Sequence, residues 1–111
     1  TAVAAGTNPV SVTVDPSGRF AYAANFISNN ISVYIINQTT GALTAGAAVA
    51  AGTDPVSVTV DPSGKFAYAA NYNSHTISVY TIDQTTGALT AGAAVAAGTI
   101  PRSIITTGAI Q

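Results

Sequence analysis

The chemistry open to this 111-residue chain rests on very few side chains. There are four aspartates (Asp15, Asp54, Asp61 and Asp83), one histidine (His75) and three cations (Arg19, Lys65 and Arg102), with no glutamate and no cysteine. Acid–base, nucleophilic and metal-assisted catalysis each need such groups brought together. Most of these groups stand where a local role suffices. Asp15 and Asp61 open identical Asp-Pro-Ser-Gly segments, where an aspartate caps a type I turn and proline presets φ. Arg19 and Lys65 follow those turns at matching positions and read as solvated charges that discourage edge pairing. Asp83 stands where an earlier segment has Asn37, an exchange that suits turn chemistry. That leaves His75, Asp54 and Arg102. No HExxH, phosphate-cradling glycine loop, fixed pair of carboxylates or Ser-His-Asp arrangement is present. No metal or cofactor is implied, and no catalytic residue is assigned.

Composition narrows the classes further. Charged residues make up 6% of the chain, and the formal net charge is −1. A nucleic-acid partner would need a basic stripe that this sequence lacks. No run of 18 apolar residues exists to span a bilayer, and without cysteine neither a disulfide framework nor a thiolate site can form.

The elements that must hold these residues come from a repeat. Residues 7–52 and 53–98 align at an offset of 46 with eight differences: Asn8/Asp54, Arg19/Lys65, Phe26/Tyr72, Ile27/Asn73, Asn29/His75, Asn30/Thr76, Ile35/Thr81 and Asn37/Asp83. Residues 1–6 match the close of a repeat and residues 99–111 begin another. Within a repeat, Val10–Val14 alternates apolar and polar residues, as a strand does. Arg19–Asn25 forms a second strand, with Phe20, Tyr22 and Ala24 on one face. Ile31–Asn37 is β-branched and aromatic and forms a third. Leu43–Ala51 is alanine-rich, but Gly46 and its shortness favour a fourth strand over a helix.

Four short antiparallel strands per unit of about 45 residues predict an all-β fold of β-propeller blades. The expected organisation is residues 1–6 as the last strand of a preceding blade, 7–52 and 53–98 as two blades, and 99–111 as the first strand of a third plus a tail. Both faces of each sheet are apolar, so each needs a neighbour. Phe20, Tyr22 and Tyr34 are expected against the alanines of an adjacent sheet. The partners implied are other blades, from a longer parent chain or from further copies. The ending IITTGAIQ is read as the decay of the repeat at the C-terminus of a larger propeller, a reading placed ahead of a self-assembling two-blade unit.

The pattern GTxPxSVTVDPSGxFAYAAN…ISVYxIxQTTGALT resembles the YVTN-type propeller repeat of prokaryotic surface proteins and lactonase-like proteins. Tyr22–Asn25 and Tyr68–Asn71 stand where that family's Tyr-Val-Thr-Asn motif falls. The resemblance implies a seven-bladed propeller, of which this chain carries two blades and a fraction. It also implies an extracellular or cell-surface location in a prokaryote. In a propeller the loop between the second and third strands shares a rim with the connection between blades. That makes Asn8, Asp54, Asn73, His75 and Arg102 the candidate binding residues. Two functions follow: a non-enzymatic structural or interaction module displayed outside the cell with an unspecified ligand, or part of a lactone-hydrolysing propeller. The first is expected, because the rim holds so few catalytic groups.

Overall fold

The structure, a computed structural model, describes residues 5–6 and 9–96. Every regular element among them is a strand. The first repeat holds β1 (Pro9–Val14), β2 (Phe20–Asn25), β3 (Asn30–Ile36), β4 (Leu43–Ala45) and β5 (Val49–Ala50). The second repeat holds β6 (Pro55–Val60), β7 (Phe66–Asn71), β8 (Thr76–Ile82), β9 (Leu89–Ala91) and β10 (Val95–Ala96). Each repeat is one antiparallel sheet in which β1, β2 and β3, or β6, β7 and β8, pair in sequence.

The fourth strand exists, but it is interrupted. Both β4 and β5 pair with β3: Tyr34 stands opposite Ala45, and Ile31 opposite Val49. Residues 46–48 therefore face only residues 32 and 33, so the strand carries one extra residue, as in a β-bulge. Gly46 N–H still bonds Val33 C=O at 2.7 Å, and Gly92 N–H repeats this with Val79 at 2.7 Å. Small residues suit a segment that must bend without leaving the sheet. The third strand ends one residue earlier than expected, because Asn37 belongs to the following turn.

Register decides which residues share a face. Val12 pairs with Ala23, Val14 with Ala21, and Ala21 with Tyr34. These side chains line one face of the first sheet, here called trailing. Phe20, Tyr22, Ala24, Ile31 and Val33 line the other, the leading face. The leading face of the first sheet packs on the trailing face of the second (Val58, Val60, Ala67, Ala69, Tyr80 and Ile82), and together they form the main core. Phe20 and Tyr22 thus meet the alanines of the adjacent sheet, as expected. Tyr34 does not. It lies on the trailing face over Ala21 and Ala23 of its own sheet, because it is an even number of residues from Ser32 and so opposite in sense to Val33. Its counterpart Tyr80 is the one that faces a neighbouring sheet.

Two tyrosines cross the interface in opposite directions. Tyr22 OH donates to Gly87 C=O and Tyr80 OH to Ala50 C=O, each at 2.7 Å. These bonds let large apolar rings be buried without stranding a hydroxyl. Gly87 (φ +77°) lies beneath Phe20, and a Cβ there would stand 2.4 Å from Phe20 Cδ1. Only glycine meets both the backbone and the space requirement. Strands β1 and β6 lie close together while the outer strands β5 and β9 meet less closely. The sheets therefore splay as blades do about an axis on the first-strand side.

Away from this interface Ala21, Ala23 and Tyr34 stay buried, but several first- and second-strand side chains are exposed. Val12 and Val14 are 68% and 53% exposed, whereas their counterparts Val58 and Val60 are 4% and 8% exposed. On the leading side Phe66 is 41% exposed against 3% for Phe20. Fully burying a valine is worth about 1.5–3 kcal/mol, so the shared interface is the principal source of stability. Ala69 is fully buried within it. Ala69→Phe is expected to cost about 1–3 kcal/mol by overpacking, read as a lower melting temperature. An unchanged melting temperature would contradict a filled interface.

Candidate functional site

A rim forms where the loop between the second and third strands meets the segment that links the blades. The loop closes in both repeats by the same α-turn: Asn29 N–H bonds Asn25 C=O at 3.0 Å, and His75 N–H bonds Asn71 C=O at 3.1 Å. The turn requires a left-handed residue at its end. Asn29 (φ 58°) and His75 (φ 56°) fill that position, and both residue types are enriched there. His75 therefore has a backbone reason to be where it is.

Linker and loop then tie together. Ala51 N–H bonds Asn29 C=O at 3.0 Å, Tyr72 N–H bonds Asp54 C=O at 2.9 Å, and Thr53 N–H bonds Ser74 Oγ at 3.1 Å. Asp54 is itself left-handed, at φ 53°, and its N–H donates to Asn29 Oδ1 at 2.9 Å across the blade boundary. Asn73 Nδ2 donates to Asp54 Oδ2. Of the five candidate residues, the structure joins Asp54 to Asn73 and places His75 two residues further along the same loop. Asp54 is half-buried, and Asn73 and His75 are exposed. Asn8 and Arg102 lie outside the described residues. The rim can offer a carboxylate acceptor, an amide donor and an imidazole to a polar ligand. Among the described residues no three metal-ligating side chains gather.

The other aspartates are held by turns. Asp15 Oδ1 accepts Arg19 N–H at 2.9 Å and Phe20 N–H at 3.1 Å, and Ser17 Oγ donates to Oδ2 at 2.7 Å. Gly18 N–H closes the turn on Asp15 C=O at 2.9 Å. Burial pushes the Asp15 carboxyl upward, but the hydrogen bonds from Ser17, Phe20 and Arg19 outweigh it and hold it below the ordinary carboxylate range. Asp83 accepts Thr86 and Thr85 N–H groups, which lower it likewise. Asn37 accepts the matching pair from Thr39 and Thr40, so the Asn/Asp exchange is turn chemistry. Arg19 is exposed, as a solvated edge charge is; its guanidinium also lies 4.9 Å from the Phe20 ring centroid, and Nε donates to Ser17 Oγ.

Sequence reasoning missed the asparagines that anchor the rim. Asn71 is fully buried. Its Nδ2 donates to Ser78 Oγ at 2.8 Å and Thr76 Oγ1 at 3.2 Å, while Oδ1 accepts Gly52 N–H at 3.2 Å. It thereby fastens the linker to the third strand of its blade. A Cβ on Gly52 would stand 2.8 Å from Asn71 Cγ, which accounts for the glycine. Asn25 bonds Asn30 Oδ1 and Ser32 Oγ in the same manner, both at 2.8 Å. The available signal was an identical asparagine in each repeat just before the loop that varies.

A family model described as "Lactonase, 7-bladed beta-propeller" matches residues 2–104. Among curated proteins none matches significantly. Among solved structures, a Bacteroides uniformis protein provisionally assigned as a 6-phosphogluconolactonase superposes with a TM-score of 0.87 at 23% identity, over 96% of this chain and 32% of its own. A functionally unknown protein from Desulfotomaculum acetoxidans gives 0.77 at 28% identity, over 87% and 30%. The periplasmic gluconolactonase of Pseudomonas aeruginosa gives 0.76 at 23% identity, over 89% and 29%. The chain thus spans about a third of the length of these propellers.

Asn71→Ala removes the buried clamp and leaves Gly52 N–H without its acceptor. The expected loss is about 1–3 kcal/mol, with faster amide exchange at Gly52 than at the strand residues of β7. Equal exchange in variant and parent would contradict the clamp.

Proposed function

The chain belongs to the lactonase family of seven-bladed β-propellers, and from that premise we propose that it supplies two neighbouring blades of a propeller that hydrolyses a sugar lactone. The carrying observation is that the family match runs through both repeats, over residues 2–104. Two of the similar structures named above are described by their sugar-lactone activities, which supports the same substrate class. This reading takes the place of the expected non-enzymatic display module. We also retain the YVTN assignment of the repeat, which the matching buried positions of Asn25 and Asn71 support. A location outside the cytoplasm accords with the periplasmic neighbour.

Lactone hydrolysis adds water to the ring carbonyl. The tetrahedral intermediate then collapses with cleavage of the ring ester C–O bond, and the departing ring oxygen takes a proton. The product is a hydroxy acid. The rim described above suits the hydroxyl-bearing part of such a substrate. Asp54 accepts a hydrogen bond from a sugar hydroxyl, and Asn73 donates one. Both are positioning roles, and the groups that polarise the carbonyl and activate water come from other blades of the ring.

The test is a pH-stat assay of glucono-δ-lactone and its 6-phosphate with the complete propeller that carries these blades. Acid release faster than spontaneous hydrolysis is expected. Asp54→Ala should raise KM about tenfold with kcat little changed, the pattern of a lost uniform-binding contact of roughly one charged hydrogen bond. Acid release no faster than in buffer would overturn the reading.

A further inference from the structure

Two segments of the first repeat carry the Asn-x-Ser/Thr pattern of N-glycan acceptors, Asn30-Ile31-Ser32 and Asn37-Gln38-Thr39. The second repeat has neither, because Thr76 and Asp83 stand at the asparagine positions. The structure separates the two segments. Asn30 opens β3 and is held on both sides, paired with Asn25 of β2 and with Ala50 of β5. Its Oδ1 accepts Asn25 Nδ2, which also donates to Ser32 Oγ, each at 2.8 Å. Ser32 is buried. A transferase can reach this asparagine only by opening the sheet.

Asn37 lies in the turn between β3 and β4, where Asn37 through Thr40 are all exposed. Asn37 N–H bonds Ala42 C=O and Gly41 N–H bonds Asn37 C=O, each at 2.8 Å. Asn37 Oδ1 accepts Thr39 N–H at 2.8 Å and Thr40 N–H at 2.9 Å, an Asx turn that fixes the carboxamide against the backbone. Both bonds fall on the oxygen. Among the described residues neither Asn37 Nδ2 nor the Thr39 hydroxyl has a hydrogen-bond partner.

The second repeat shows what an adjacent sheet does to this turn. Gly87 is buried beneath Phe20, yet Asp83 through Thr86 stay exposed. By the same geometry Asn37 stays open to solvent when a preceding blade covers Gly41. The turn is also remote from the rim, because β3 runs from the rim loop down to it.

We propose that Asn37 is an N-glycosylation site of the folded chain and that Asn30 is not. In the transfer, Asn37 Nδ2 attacks C1 of a sugar carried as a polyprenyl diphosphate ester. The C1–N bond forms as the C1–O bond to phosphate breaks. Polyprenyl diphosphate leaves with the electron pair, and Nδ2 releases one proton. The chain supplies an exposed carboxamide with a hydroxyl two residues on, and an external transferase supplies the base. A glycan there projects from the end of the blade opposite Asp54 and Asn73 and leaves both uncovered. The proposal shares with the lactone reading only the location outside the cytoplasm, and its test involves no turnover of lactone.

The test incubates the folded full chain with an oligosaccharyltransferase of Asn-x-Ser/Thr specificity and a polyprenyl-diphosphate oligosaccharide, and reads intact mass and the modified peptide. One oligosaccharide per chain is expected, on Asn37. Thr39→Ala keeps both bonds to Asn37 Oδ1, since they come from the backbone, and should abolish transfer, whereas Thr39→Ser should retain it. Asp83→Asn completes the acceptor pattern with Thr85 in the matching exposed turn and should raise the count to two. Asn30→Gln should leave it at one. Peptide mapping of the protein recovered from its own cells should show Asn37 occupied. An unmodified parent chain, a glycan on Asn30, an Asp83→Asn variant with a single glycan, or a bare Asn37 in the native protein would overturn the proposal. A propeller without lactonase activity would alter none of these readouts.

Discussion

The whole arrangement depends on one contact, the packing of a sheet's leading face against the trailing face of the next. A sheet with two apolar faces cannot be stable alone in water, because whichever face is open forfeits the burial that offsets chain entropy. The structure displays the consequence directly, since the same residue in the same strand is buried in one repeat and open in the other. Val12 and Val58 differ in nothing but the presence of a neighbour. The tyrosine hydroxyls that cross the interface and the glycine beneath Phe20 make the contact specific in register as well as favourable in energy. They serve one docking geometry and would be misplaced in any other.

A chain with so few charges must hold its shape by other means, and short polar side chains bonded to nearby backbone do this work. Asp15, Asn37 and Asp83 organise turns, while Gln38 and Gln84 bridge two strand ends through paired carbonyl contacts. Asn25 and Asn71 secure the rim from beneath. Such devices leave the rim free to vary, and the differences between the repeats are distributed accordingly. Five of the eight differences (Asn8/Asp54, Phe26/Tyr72, Ile27/Asn73, Asn29/His75 and Asn30/Thr76) fall on the linker or the adjoining loop. A rigid scaffold beneath variable loops is the usual partition between stability and binding. It explains how a lactonase-family blade can retain its packing while its rim changes chemistry.

The architecture was legible in the amino-acid sequence because the repeat doubles every local signal. The Val10–Val14 alternation, the Asp-Pro-Ser-Gly turn and the aromatic second strand each recur 46 residues on, and all are found in place. Tyr34 was expected against an adjacent sheet but lies over Ala21 and Ala23 of its own, because when both faces are apolar, alternation no longer says which side is which. The bulge at residues 46–48 escaped for a related reason, since an alanine and glycine run has no periodicity to break. The asparagine clamps were hidden because a polar residue at a strand end reads as a turn former, and only coordinates reveal that it is fully buried. At the rim, Asp54, Asn73 and His75 were named from repeat differences and topology, and the structure sets them on the linker and the adjoining loop. The lactonase membership came from comparison, because the chemical groups in these two blades do not by themselves specify a reaction.

The central claim is tested most directly by equilibrium denaturation of an isolated 46-residue repeat, residues 7–52, in dilute solution beside the full chain. Deprived of the neighbouring sheet, the single repeat should show no cooperative transition and no protected amides in β2 and β3, whereas the full chain unfolds in one cooperative step. A single repeat that melts cooperatively near the temperature of the full chain would contradict the dependence on sheet-to-sheet packing.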